Sequence, residues 1–265
     1  MPRANRHFLP GHVWHITHRC HQKAFLLKFA RDRERYLRWL FEAKKRFGLC
    51  VLNYTVTSNH VHLLVQDTSS QVIARSMQLV AGRSAQEYNQ RKSRQGAFWE
   101  DRYHATAIET DAHLHRCVVY LDLNMVRAGV VKHPADWMHS GYREIQAPPQ
   151  RYVIINLERL TSLCGFTEVA AFQRAHRQWV EEALAQGSTL RDDRWSASIA
   201  VGGLAFVDQV RSELGLRALH RGVEVLDGTY VLREAGGAYM PGLRSETEPL
   251  SPDNTVLWDQ NPEDI

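Results

Sequence analysis

Two histidines separated by one residue, His60 and His62, are the first residues in this chain whose spacing could do chemistry. They lie in residues 53–66, where Tyr54, Val56, Val61, Leu63, Leu64 and Val65 are strand formers and Thr57-Ser58-Asn59 is a turn signal. On a strand, alternate side chains share a face. His60 and His62 then point one way, while Val61 and Leu63 point into a core. Two imidazoles about 7 Å apart along one strand face can converge on one metal ion, with a further ligand supplied from elsewhere. Two solvated or packed histidines fit the same spacing. A second group is Tyr120 and Asn124, four residues apart on a helical stretch and so on one face. Arg116 and Arg127 extend that stripe, opposite Leu114, Val118, Leu121 and Met125. This reads either as part of a site or as a half-buried tyrosine on a helix surface.

The elements that must position these residues follow from periodicity. Residues 12–18 alternate as a strand, with His15 and His18 on opposite faces. Residues 30–47 have amphipathic helical spacing, with Asp32 as a capping residue and Gly48 as the stop. Residues 49–57 and 60–66 form a hairpin, and a second helix spans roughly 71–91. A basic loop, Arg91 to Gly96, leads into a fourth strand over 98–108. Asp111 caps a third helix, 112–126. The order β-α-β-β-α-β-α contains the ferredoxin-like split βαβ unit, an α+β class with an antiparallel sheet. With helices on one face, the other is expected to be free, carrying His60 and His62 on a central strand.

Composition sets the class. Of 265 residues, 44% are hydrophobic and 23% charged, ordinary for a globular protein. No run of 18 apolar residues is present, which predicts no membrane span. Met-Pro-Arg-Ala-Asn-Arg-His has no apolar stretch behind it, so a cytoplasmic protein without a secretory signal is expected. Cys20, Cys50, Cys117 and Cys164 are too scattered for a zinc knuckle and read as reduced thiols. Residues 1–145 carry 22 Lys+Arg against 12 Asp+Glu, and residues 146–265 carry 11 against 17. Twelve of the 14 histidines also lie in the first part. The basic front half predicts a polyanionic partner, most simply nucleic acid. No nucleotide-binding P-loop occurs.

His60-Val61-His62 resembles the His-hydrophobic-His motif of the single-tyrosine HUH transposases. Tyr120-Leu-Asp-Leu-Asn124-Met-Val-Arg127-Ala-Gly129 is similar to the tyrosine helix of that group. The likeness is nearest to its REP-associated branch and runs over residues 3–145. It includes Pro10-Gly11, the strand holding His15, Phe98-x-x-x-Arg102-Tyr103 and Trp137-x-x-Ser140-x-Tyr142. Departures fall at Ser58, Met125 and Cys20, where relatives commonly carry Pro, Pro and Gly. They affect turn geometry and remove no proposed ligand or nucleophile.

The resemblance implies that His60 and His62 bind a divalent metal, Mg²⁺ or Mn²⁺, with Asn124 as third ligand. It implies Tyr120 as the nucleophile on single-stranded DNA beside a hairpin, forming a 5′-phosphotyrosine. Two other readings are a domesticated DNA-hairpin-binding protein with little or no catalysis, and a relaxase or replication-initiator nickase. Arg3, Arg6, Arg102, Arg116 and Arg127 are expected phosphate contacts, and Trp99 or Phe98 could stack on an unpaired base. A monomer or dimer is expected. Residues 1–147 read as the catalytic domain, 150–240 as a small, mostly helical extension, and 241–265 as an acidic tail. Within the extension, helices are expected over 167–185 and 204–214, and a hairpin about Asp227-Gly228.

Overall fold

A computed structural model describes residues 11–187, 192–218 and 221–234. The expected tail, 241–265, lies outside them. The chain begins with β1 (Val13–Arg19), α1 (Ala30–Phe47), β2 (Cys50–Val56), β3 (His60–Gln66), α2 (Val72–Arg91), β4 (His104–Ile108) and α3 (Ala112–Asp122). This is the element order that the periodicity predicts. α4 (Asn124–Arg127) continues α3 after a single non-helical residue, Leu123. The amide of Arg127 still donates to Leu123 O at 2.9 Å, so Tyr120 and Asn124 remain one turn apart. α5 (Gly141–Gln146), α6 (Leu157–Leu163), α7 (Val169–Ala185), α8 (Arg194–Ala197), β5 (Ala200–Gly202), α9 (Leu204–Leu214), β6 (Arg221–Leu226) and β7 (Thr229–Glu234) follow.

Stops act where glycine permits them. Gly48 takes φ 72° and returns its amide to Lys44 O, ending α1. Asp227 and Gly228, both at positive φ, turn β6 into β7. Two expected caps differ. α1 starts from Phe29, and Asp32 in its first turn pairs instead with Arg91 of α2. Asp111 occupies the N-cap position of α3 but makes no side-chain cap bond.

Among the described residues the strands form one seven-stranded sheet in the order β2-β3-β1-β4-β5-β7-β6. β1 and β3 are central to its first four strands, as the ferredoxin-like order requires. The back half is rich in helix, and its three strands extend the same sheet through a parallel β4–β5 pairing.

The two faces of the first four strands differ. Trp14, Ile16, His18, Val61, Leu63 and Val65 share one face, which belongs to the main hydrophobic core. There Trp99 stacks on His18 with ring centroids 4.0 Å apart and meets Tyr36 of α1. The opposite face presents Asn53, Thr55, His62, His15, Thr106 and His104.

That second face is covered, contrary to expectation. Thr55 donates to Leu121 O at 2.9 Å, and Asn53 donates to Asp122 Oδ1 at 3.0 Å, which seats α3 on it. Thr106 donates to Ser198 O at 2.6 Å, and His15 donates to Trp195 O at 2.6 Å, which seats α8 and the turn after it. A face of polar side chains reads as solvated in sequence. Here its donors satisfy carbonyls of elements distant in the chain, so burial leaves those groups paired.

Candidate metal and tyrosine site

β3 puts His60 and His62 on the covered face, with ring centroids 4.9 Å apart and planes 81° to one another. His60 is half-buried at the start of the strand. Its Nδ1 lies 2.7 Å from Asn59 Oδ1 and 3.0 Å from Thr57 Oγ1. An amide oxygen can only accept, so the proton of that ring sits on Nδ1 and its lone pair is on Nε2. His62 is 5% exposed. Its Nδ1 is 2.9 Å from His15 Nε2, and its Nε2 is 3.1 Å from the Asn124 amide. Both histidines therefore direct Nδ1 to a neighbouring side chain, the arrangement that fixes metal-ligating imidazoles.

α3 and α4 bring the remaining residues. The ring of Tyr120 stands edge-on to His62, with centroids 6.2 Å apart, and edge-on to His15 at 6.1 Å. Trp195 of α8 lies 6.2 Å from the Tyr120 ring. The Arg127 guanidinium caps the same ring at 4.1 Å, and its Nη2 donates to Tyr120 O at 2.6 Å. Tyr120 is only 7% exposed, so the Tyr120 stripe is not the polar helix surface that spacing suggests. α3 is buried on more than one side, because α7 packs on it as well.

Behind the tyrosine helix lies a buried chain of side chains. Gln146 Nε2 donates to His176 Nδ1 at 2.7 Å, and His176 Nε2 donates to Asp122 Oδ2 at 2.7 Å. Asn53 completes the carboxylate's set at Oδ1. On the sheet side, burial drives the His15 imidazole down to about 4, partly offset by its bond to the Trp195 carbonyl.

The other expected contacts scatter. Arg102 and Arg116 are exposed. Arg3 and Arg6 lie outside the described residues. Arg127 is turned onto Tyr120. Trp99 is a packing residue: its indole N–H donates to Ala81 O at 3.0 Å and its ring is stacked on His18, while Phe98 is buried. An aromatic pair beside a basic loop resembles a base platform in sequence, but here the pair closes the core. Two residues that sequence reasoning passes over are Phe25 and Phe29, each 51% exposed. Lys28 Nζ and Lys92 Nζ stand 5.3 and 5.4 Å from the Phe29 ring. Their loop is held against the histidine turn by Leu27 N to Ser58 O at 2.9 Å and Asn59 Nδ2 to Lys23 O at 3.1 Å.

Two imidazoles and a side-chain amide are a donor set that could hold a divalent cation, and the set includes no thiolate. Among the described residues no group of three or more His, Cys, Asp or Glu is placed to hold a metal, and the side-chain amide beside His62 is that of Asn124.

Residues 10–123 match the family of IS200-like transposases. The likeness read from the motifs is thus borne out over the segment from the start of β1 to the end of α3, and it supports a transposase-type role. Among solved structures, the chain is similar to a REP-associated tyrosine transposase bound to a REP hairpin, at 17% identity over 58% of this chain and 90% of that one, with a TM-score of 0.47. It is also similar to a transposase-like protein of Deinococcus radiodurans, at 18% identity over 40% of this chain and 84% of that one, with a TM-score of 0.31. No curated protein matches the chain. Among the described residues no helix is long and apolar enough to cross a membrane.

Proposed function

We propose that this transposase-type protein cleaves and rejoins single-stranded DNA beside hairpins by transesterification through Tyr120. The observation that carries this reading is the gathering of Tyr120, His62 and Asn124, from two distant parts of the chain, within one hydrogen bond and one ring contact of each other. The phenolic oxygen of Tyr120 attacks the scissile phosphorus. The P–O bond to the upstream sugar breaks, the released 3′-hydroxyl takes a proton, and the downstream strand stays on Tyr120 as a 5′-phosphotyrosine. Attack by a 3′-hydroxyl on that phosphorus reverses the step and expels the tyrosine. A phenol, with its pKa near 10, is a far better leaving group than an aliphatic alcohol, so no nucleotide energy is needed.

His60 and His62, with Asn124 beside them, would hold a bound Mg²⁺ or Mn²⁺. Such an ion would supply charge neutralisation at the phosphate. The remaining work belongs to the chain. Arg127 holds the Tyr120 ring and adds positive charge beside the attacking residue. The basic front half supplies the attraction for the strand. The loop bearing Phe25 and Phe29, flanked by Lys28 and Lys92, offers ring faces for unpaired bases next to the histidine turn.

One observation favours a second reading, a hairpin-binding protein with little catalysis: the enclosure of Tyr120 by Trp195 and Arg127. The deciding experiment incubates the full chain with single-stranded oligonucleotides from the gene's own flanks and Mg²⁺ or Mn²⁺, then resolves it on a denaturing gel. A covalent adduct that disappears in Tyr120→Phe and with chelator is expected. Tight hairpin binding with no adduct would establish the second reading instead.

A further inference from the structure

We infer that His15 is a positioning residue that sets the tautomer of His62, through a hydrogen-bond chain starting at the backbone carbonyl of Trp195 in the back half of the protein. The inference rests on the reading of His62 as a metal ligand. The chain runs Trp195 O, His15 Nδ1 at 2.6 Å, His15 Nε2, then His62 Nδ1 at 2.9 Å. Its direction follows from elementary chemistry. A carbonyl oxygen only accepts, so His15 carries its proton on Nδ1. The side chain is fully buried, and a neutral imidazole protonated at Nδ1 has only a lone pair at Nε2. His62 Nδ1 must then donate to it. A neutral His62 with its proton on Nδ1 offers a lone pair at Nε2, the nitrogen on the Asn124 side.

The two histidines of the pair thus reach the same state by different routes. His60 is set locally, by the side chain of its own neighbour Asn59. His62 is set at long range, by a carbonyl on α8. Residues 192–202 therefore do more than cover the sheet. They supply the acceptor that decides which nitrogen of His62 is a lone pair, and a change at α8 reaches the metal ligand without touching it. Such an outer partner also orients the ring, and its loss typically weakens metal binding 10- to 100-fold.

The test has two parts, both on the full chain. The first is the long-range ¹⁵N–¹H histidine spectrum of the metal-free protein. The expected result is His62 protonated at Nδ1 in the wild type and a mixture of tautomers in His15→Phe, which keeps an aromatic ring and removes the acceptor. A wild-type His62 protonated at Nε2 would overturn the inference. The second is Mn²⁺ affinity by electron paramagnetic resonance. We expect a rise in Kd of roughly 10- to 100-fold in His15→Phe. Recovery is expected in His15→Gln, whose Oε1 restores an acceptor for His62 Nδ1 and which stays informative if the Phe variant does not fold. Unchanged affinity in His15→Phe would also overturn it. Mn²⁺ bound equally well by His62→Ala would sink the ligand reading itself, a result distinguishable because the metal-free spectrum judges the tautomer on its own.

Discussion

The guanidinium of Arg127 lies over the ring of Tyr120, 4.1 Å from its centroid, and hydrogen-bonds the carbonyl of the same residue. One side chain thus fixes both the ring and the backbone of the proposed nucleophile. Replacing it with alanine removes a partly buried cation–π contact of about 1–2 kcal/mol. Arg127→Ala is expected to lower the rate of covalent adduct formation by roughly tenfold. Binding of hairpin DNA should change far less. Equal losses in both assays would make Arg127 a DNA contact and not a holder of Tyr120.

The Asp122–His176 pair carries a different load. Both side chains are fully buried, and Asp122 is two residues from Tyr120. Removing His176 leaves a buried carboxylate short of one donor, a cost on the order of 3 kcal/mol. His176→Ala should lower the urea midpoint accordingly. The double replacement Asp122→Asn with His176→Gln should recover part of that loss. A midpoint unmoved by His176→Ala would show that water replaces the imidazole.

Phe29 offers a sequence-independent readout of the strand path. Phe29→Ala is expected to weaken binding of a single-stranded oligonucleotide by about 1–2 kcal/mol, that is, roughly 5- to 30-fold, as for other stacked bases. Phe29→Trp should retain binding and show fluorescence quenching when the oligonucleotide is added. Retained affinity in the alanine variant would remove this loop from the path.

Stability should also carry a histidine signature. His139 is buried, and burial, reinforced by the nearby Arg33, pushes its imidazole down to about 4. In the unfolded chain it titrates near 6.5. Between these values the unfolded state binds more protons, so stability falls as pH drops from about 6.5 toward 4 and this contribution is fully present above 6.5. The shift corresponds to about 3 kcal/mol at most. Urea titrations at pH 7 and pH 5 should show the slope, and His139→Gln should reduce it, leaving the share of the similarly depressed His15.

Much of the fold is legible in the chain because local rules coincide. Alternation marks β1, Thr57-Ser58-Asn59 separates two strand-forming runs, and Gly48, Gly187 and Gly215 end helices where spacing says they should. The Asp227-Gly228 hairpin and the limits of α9 are read the same way. The pairing of His60 with His62, and of Tyr120 with Asn124, follows from the periods 2 and 3.6. What local rules cannot supply is the partner across the fold. His15 has an unremarkable place in an alternating strand, and its role depends on a carbonyl 180 residues away. Trp99 fails in the opposite direction: it follows a basic loop in sequence, while in space its ring meets His18 of β1 and Tyr36 of α1. Polarity misleads for the same reason on the covered face, where Asn53, Thr55 and Thr106 are donors to distant backbone and not groups awaiting solvent.

The parallel pairing of β4 with β5 means that the back half is no interchangeable cassette. A polypeptide stopping at residue 147 would keep both histidines, the tyrosine and the asparagine. It would also bare the backbone of β4 as a raw edge, an invitation to pair with other chains.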